Sequence, residues 1–193
     1  MKKYVWITIA IVVVLGFVGV SKYNKMVVKD EDVLTQWANV ETQYQRRADL
    51  IPNLVNTVKG YASHEKETLE GVIQARAAAT SIKIDASNLT PAMIQQYQSA
   101  QSGITSALSK LLAVSERYPD LKANQNFLEL QAQLEGTENR ISVERRRYNE
   151  IAKDYNVYIR SFPNSIFASI FGFERRPPFE AEAGSEKAPE VKF

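Results

Sequence analysis

The 193-residue sequence contains no cysteine, and its one histidine is His64. Without cysteine it has no disulfide, no thiolate metal site and no lipid-modified cysteine of the bacterial lipoprotein kind. His64-Glu65 opens like the H-E-x-x-H motif of zinc proteases, but the fifth position is Thr68 and no second histidine exists, so that site is excluded. Glu65, Glu67 and Glu70 lack the Glu-x-x-His partners of a di-iron bundle. No nucleophile elbow surrounds any serine that would form a Ser-His-Asp triad. A charge excess is also missing. Net charge is +2, and apart from Lys2 and Lys3 the chain carries 22 basic and 22 acidic residues, which argues against nucleic acid as a partner. Strand-like alternation comparable in length to the helical patterns below and glycine-rich repeats are absent too. The expectation is a non-enzymatic, all-α protein with no catalytic residues, no metal and no cofactor.

What the chain does have is one long apolar run. Val5 to Val20 is apolar except for Thr8, with Tyr4 and Trp6 at one end and Tyr23 at the other, where aromatic rings favour the membrane interface. As a helix, residues 4–23 span about 30 Å, the thickness of a bilayer's hydrocarbon core. A cleaved signal peptide is the alternative, but no A-x-A site follows the run. The reading is an uncleaved single-pass anchor through which the protein meets the lipid bilayer. Lys2 and Lys3 precede it, and Lys22, Lys25 and Lys29 follow it, so the positive-inside rule is close to a tie. Retention of the short basic N-terminus in the cytoplasm, with the rest on the outer face of the inner membrane, is the simpler arrangement.

The remainder reads as amphipathic helices. Asp30, Glu31 and Asp32 predict a helix start. Val33, Trp37, Val40, Tyr44, Ala48, Ile51, Val55, Val58 and Ala62 then recur at steps of three and four. Pro52 removes one hydrogen bond from this helix and predicts a kink near Ala48. A second stretch carries Leu69, Val72, Ile73, Arg76 and Ile82; whether residues 30–83 form one helix or two stays open. Thr90 and Pro91 are a helix start by N-cap and first-turn proline, with a buried face of Ile94, Tyr97, Gln101, Ile104, Leu108, Leu111 and Ser115. In the last helix Phe127, Leu134, Ile141, Tyr148, Tyr155 and Phe162 repeat every seven residues, with Leu130, Thr137, Glu144, Ile151 and Tyr158 between them. That alternation is the seam of a left-handed bundle. The organisation is therefore a basic N-terminus (1–3), an anchor (4–23), an antiparallel up-and-down bundle of about four helices (30–162), a short apolar segment (163–173) and an extended or disordered Pro/Glu-rich tail (174–193).

Two groups of residues stand out as candidate sites. Glu144 occupies a seam position where an apolar residue is expected, and a buried carboxylate needs a partner. A structural polar network is expected in which Glu144 pairs with Arg46 or Arg47, drawing in Asp49, Asn53, Arg140 and Arg147. Asn139, Asn149 and Asn156 would serve backbone carbonyls freed by the kink. The triplet Arg145-Arg146-Arg147, flanked by Glu144 and Glu150, reads as a solvated, ion-paired face. Ile166, Phe167, Ile170, Phe171 and Phe173 form an aromatic run that, in a four-helix arrangement, lies near the membrane beside the anchor, and there it either contacts the bilayer or caps the end of the bundle.

Several blocks carry a resemblance. Gln43-Tyr44-Gln45-Arg46-Arg47-Ala48-Asp49-Leu50-Ile51-Pro52-Asn53-Leu54-Val55 and Val58-Lys59-Gly60-Tyr61 resemble the LemA family, as do Glu138-Asn139-Arg140-Ile141, Arg145-Arg146-Arg147-Tyr148-Asn149, Tyr155-Asn156 and Ser161-Phe162-Pro163. The resemblance implies an N-terminal membrane helix, an antiparallel four-helix bundle, a bacterial membrane location and no established enzymatic activity. Relatives in magnetosome membranes imply work on membranes or assemblies. Two functions are consistent with all of this. One is a structural protein that self-associates as a homo-oligomer and organises membrane. The other is an adaptor that docks another membrane or envelope protein through the bundle or the C-terminal tail.

Overall fold

In the computed structural model, which describes residues 2–180, every regular element among those residues is helical. Six helices follow one another: α1 (Lys2–Tyr61), α2 (Lys66–Ser81), α3 (Pro91–Ser115), α4 (Pro119–Lys122), α5 (Gln125–Arg160) and α6 (Asn164–Phe171), with a 3-10 turn (Ala86–Asn88) before α3. Four of them, α1, α2, α3 and α5, form the bundle: α1 runs along α5, while α2 packs along α3 and against α1. Residues 30–83 are thus two helices, because the chain turns at residues 62–65 after Tyr61. Thr90 accepts from the Met93 N–H at 3.2 Å and caps α3, with Pro91 at its first turn; Asn124 accepts from the Phe127 N–H at 3.0 Å and caps α5.

The first helix is longer than its parts suggested. α1 has 60 residues, about 90 Å of continuous helix, and carries the apolar run directly into the bundle. Asp30, Glu31 and Asp32 therefore do not start a helix; they lie in its interior, since no glycine or proline separates Ser21 from Asp32. The apolar end is long enough to cross a membrane, with a mean hydropathy of 1.9 over its most apolar window and only 6 % of that window buried in the protein. So little burial is not that of a helix in a protein core. Val12, Val13, Val14, Phe17 and Val20 all face outward.

All nine predicted positions of the first bundle face, from Val33 to Ala62, are buried, as are the seven predicted on α3. On α5 the heptad positions Phe127, Leu134, Ile141, Tyr148 and Tyr155 are buried. Phe162 is not: α5 ends at Arg160, so residue 162 leaves the seam and is 83 % exposed. Ile73 is likewise exposed, the buried face of α2 being Leu69, Val72 and Ala79. The core falls into two clusters. One, next to the anchor, is aromatic and includes Trp37, Tyr44, Tyr97, Tyr148 and Tyr155; the other, at the far end, is mostly aliphatic and includes Ile51, Leu54, Val58, Ile104 and Leu111.

Pro52 lies inside α1 without ending it. Its missing N–H deprives the Ala48 carbonyl of the usual donor, and that carbonyl instead accepts from Arg76 Nε of α2 at 2.8 Å. The proline therefore opens a docking point for the neighbouring helix. Arg76→Ala should cost about 1–3 kcal/mol by leaving this buried carbonyl unpaired. In a Pro52→Ala background, where residue 52 regains its N–H, the same change should cost much less. Urea unfolding of the four variants in detergent measures the coupling; equal costs in both backgrounds would refute this account.

Candidate functional site at the foot of the bundle

The antiparallel run of α5 brings the C-terminal elements back to the point where α1 leaves its apolar stretch. There α6 packs on α1 and α5. Its Phe167 ring lies over Gly19, where an added Cβ would sit 3.3 Å from the ring, so the glycine is what lets α6 approach this closely. Phe171 and Phe173 meet Tyr23 edge-on, with ring centroids 5.0 and 5.7 Å apart. Phe162, Ile166 and Ile170 remain exposed, Ile170 by 69 %. Of the five residues expected at the membrane, Phe167, Phe171 and Phe173 thus face the anchor helix, while Ile166 and Ile170 face outward beside it. Lys22, Lys25 and Lys29 gather over the Tyr158 ring at 5.9, 5.5 and 5.8 Å.

After α6 the chain reverses at Gly172, which takes φ +75, a left-handed value suited to glycine. Residues 173–180 then run extended along the bundle, antiparallel to α5. This segment is the first part of the expected loose tail, and it is tightly held. Asn156 accepts from the Arg176 N–H at 2.9 Å and donates to the Arg176 carbonyl at 2.7 Å; Asn149 does the same for Phe179 at 2.8 and 2.9 Å. The Tyr155 and Tyr148 hydroxyls donate to the carbonyls of Glu174 and Pro177 at 2.9 and 3.0 Å. Arg176 forms a bidentate pair with Asp30, both contacts 2.8 Å, and reaches the Ala86 and Ser87 carbonyls. Phe179, 5 % exposed, stacks on Trp37 at 5.4 Å and meets Tyr148 edge-on. A low-hydrophobicity composition hid this order, because a few anchoring side chains and side-chain to main-chain bonds do the holding. The remaining tail residues, 181–193, lie outside the described residues.

The expected polar network is redistributed. Arg47, almost wholly buried, donates to Glu138 at 2.6 Å, to Thr105 Oγ1 at 3.1 Å, and to the Gln101 side chain and carbonyl at 2.7 and 3.1 Å. It also lies over the Tyr44 ring at 5.3 Å. Glu144 does not reach Arg46 or Arg47. It accepts from Gln36 at 2.7 Å and from Arg147 at 3.1 Å. Register explains the difference: Trp37 meets Tyr148, so Arg47, ten residues on, faces Glu138, ten residues back. Arg46 and Asp49 line a cleft of ≈ 740 Å³ between α1, α2 and α3, where burial also raises the Glu41 carboxyl. Asp49 accepts from Gln45; Asn53, Asn139 and Arg140 are exposed. Asn149 and Asn156 hold the C-terminal segment and do not serve carbonyls near Pro52. In the arginine triplet, Arg145 stacks on Phe179 and donates to the Glu180 carbonyl, so that face is partly covered. Sequence reasoning missed the pairing roles of Asp30, Gln36, Arg76, Gln101, Glu138, Arg176 and Phe179. One signal for the C-terminal contacts was present: the dipeptide Tyr-Asn occurs at 148–149 and again seven residues later.

A family model described as the LemA family matches residues 36–193. The chain is 25 % identical to Magnetosome protein MamQ 2 of Paramagnetospirillum magneticum over 201 residues, covering 92 % of this chain and 72 % of that protein. It is 27 % identical to Magnetosome protein MamQ of Magnetospirillum gryphiswaldense, over 80 % of this chain and 63 % of that protein. To Protein LemA of Metamycoplasma hominis it is 27 % identical, over 76 % and 63 %.

Two predictions follow from the geometry. Glu138, itself half exposed, is the counter-charge of the buried Arg47 guanidinium; Glu138→Ala removes it and should lower stability by about 1–2 kcal/mol, more than Arg47→Met, which removes the buried charge itself. Thermal unfolding of both in detergent gives the order, and the reverse order would contradict the buried-charge account. Burial pushes the Tyr148 and Tyr155 phenols from 10.0 up to about 12. The folded chain therefore keeps protons that the unfolded chain loses, so this contribution is complete below pH 10 and is lost as pH rises towards 12. The melting temperature should fall across that window, and fall less steeply in Tyr148→Phe/Tyr155→Phe.

Proposed function

The chain belongs to the LemA family, and from that premise we propose that it is a non-enzymatic scaffold of the bacterial membrane, which self-associates and organises the membrane around it. One observation carries the reading: the bundle has a second apolar element, α6, seated against the anchor at Gly19 and Tyr23 with Ile166 and Ile170 exposed alongside. A bundle fixed to a bilayer by a single flexible tether would have no use for that element. Here a continuous helix sets the bundle upright, and α6 lies in the interface as a foot. In this arrangement the N-terminus is cytoplasmic, the bundle stands on the outer face of the inner membrane, and copies meet side by side. The magnetosome proteins among its relatives suit a role in building membrane assemblies. An adaptor role borne by the C-terminal tail is weakened, since the bundle itself holds residues 174–180.

The absence of cysteine makes single labels unambiguous. A fluorophore at Ile170→Cys in liposomes should be strongly quenched by lipids carrying a shallow nitroxide, and one at Ile73→Cys, on the exposed face of α2, should not. Equal quenching at the two sites would remove the foot. Energy transfer between donor- and acceptor-labelled Ile73→Cys chains in the same liposomes reports self-association; its absence, with light scattering giving a monomer in detergent, would overturn the scaffold reading. Protease protection of the bundle in intact vesicles fixes the orientation.

A further inference from the structure

Positive charge is concentrated where α1 leaves its apolar run, and we propose that Lys22, Lys25, Lys29 and Tyr158 form a binding site for the phosphate of an anionic lipid headgroup. The proposal rests on the membrane attachment in the proposed function and does not depend on self-association.

No acidic residue occurs before Asp30. Lys22, Lys25 and Lys29 fall within about 60° of one another around α1. Their ammonium groups converge on one ring, at 5.9, 5.5 and 5.8 Å from the centroid of Tyr158 on α5. A single ring attracts cations only weakly at a surface, and it does not cancel the repulsion among three of them. The nearby acids do not neutralise them either. Asp30 is held by Arg176, and Glu31 lines a cavity on a different face of α1 with Tyr23 and Phe171. Asp32 lies three residues beyond Lys29, and Asp154 one turn before Tyr158. Among the described residues, neither forms an ion pair with any of the three lysines. The lysines are brought together by the helix face on one side and, on the other, by a ring that packs against the aromatic core. The Tyr158 hydroxyl is itself buried without a hydrogen-bond partner among the described residues. Three ammonium groups and one phenol are all donors, and an anion with several acceptor oxygens satisfies them together.

Position selects a lipid as the source of that anion. Lys22 and Lys25 lie about 3 and 7.5 Å beyond Val20 along the helix, and Lys29 about 13.5 Å. The headgroup layer of one leaflet is about 5–7 Å thick. Side chains on a helix lean towards its N-terminus, here towards the bilayer, so the lysines reach back to the level where lipid phosphates lie. Apolar surface for the acyl chains lies directly below. Gly19, three residues before Lys22, carries α6, whose Ile166 and Ile170 are exposed. A phosphate held at Tyr158 keeps its lipid tails against α6 and the anchor, as in basic pockets that take phospholipid headgroups beside membrane helices. A soluble phosphate gains nothing from that surface.

Native mass spectrometry of the full chain in mild detergent, with added lipid, reads the site. Dioleoylphosphatidylglycerol should bind about tenfold more tightly than dioleoylphosphatidylcholine. Lys22→Gln/Lys25→Gln/Lys29→Gln should abolish that preference, and Tyr158→Phe, which keeps the ring and the charges, should lower it about threefold; circular dichroism verifies that helix content is kept. Asn24→Lys/Lys25→Gln separates a site from a merely basic surface, because it keeps the charge at nearly the same height on α1 and moves it about 100° around the helix. It should lose as much preference as Lys25→Gln alone. Full preference in this variant would overturn the site, as would equal binding of the two lipids by the unaltered chain. Excess inorganic phosphate should leave the bound lipid in place; displacement by it would give the site to a soluble anion and overturn the lipid assignment. If the label at Ile170→Cys stays quenched in liposomes while the lipid preference is absent, the foot stands and only this site falls; if quenching is absent as well, both fall.

Discussion

α1 and α5 lie antiparallel in a single register, in which Trp37 meets Tyr148 and Arg47 meets Glu138. The whole architecture depends on that pairing. It returns the chain to the level of Gly19 and Tyr23 by the time it reaches residue 167, so α6 can rest on the anchor. It also sets Asp30 beside the start of the C-terminal segment and Trp37 beside its end. A shift by one turn would move all of these contacts by about 5 Å and leave Arg47 buried without Glu138. The buried guanidinium is thus the strongest penalty against a slipped seam, because a displaced charge in a low-dielectric core cannot find water. Apolar side chains on the same seam would tolerate a slip far better.

That polar layer also divides the interior. Tyr44, Tyr97 and Ile141 lie on its membrane side, and Ile51, Ile104 and Leu134 on the other. The far half is an ordinary aliphatic core. The near half is filled by rings whose polar atoms need partners, and the C-terminal segment supplies several of them, taking the hydroxyls of Tyr148 and Tyr155 and covering Trp37 with Phe179. The aromatic half is therefore completed by a piece of chain that is not part of any helix. This is why the segment stays ordered despite its proline and charge content: the Phe179 ring and the main-chain groups of Glu174, Arg176, Pro177 and Phe179 land on prepared partners.

Helix faces were legible in the sequence because burial imposes a period on it. Val33 to Ala62 and Ile94 to Ser115 follow steps of three and four, and every one of those positions is buried. The cap at Thr90 and the anchor were legible for the same local reasons, whereas the cap at Asn124 emerged only from the structure. What stayed hidden was relational. Glu144 was recognisable as a polar residue in an apolar seam, but its partner depends on a register between helices more than a hundred residues apart, which no local pattern encodes. Asp30 looked like a helix start because acidic residues favour that position; its partner Arg176 lies 146 residues away. Arg76 binds a carbonyl that only becomes available through Pro52 on another helix. Asn149 and Asn156 bind main chain, so the segment they hold leaves little trace in its own side chains beyond Arg176 and Phe179.

Continuity of α1 gives these contacts a mechanical consequence. A helix that crosses from the apolar stretch into the bundle without glycine or proline between residues 21 and 32 bends only at the expense of its own hydrogen bonds, so tilt of the anchor is tilt of the bundle. A single helix still leaves rotation about its axis free. In the proposed membrane setting, α6 limits tilt instead, since tilting α1 away from it would lift Ile166 and Ile170 from the surface beside the anchor. The face of the bundle opposite α6 and the face carrying residues 174–180 then both stand across the plane, at fixed heights above it. Copies held in such a plane differ only by translation and by rotation about the membrane normal. A contact made once between neighbours can then be repeated by every copy, which is the geometric requirement for an ordered assembly.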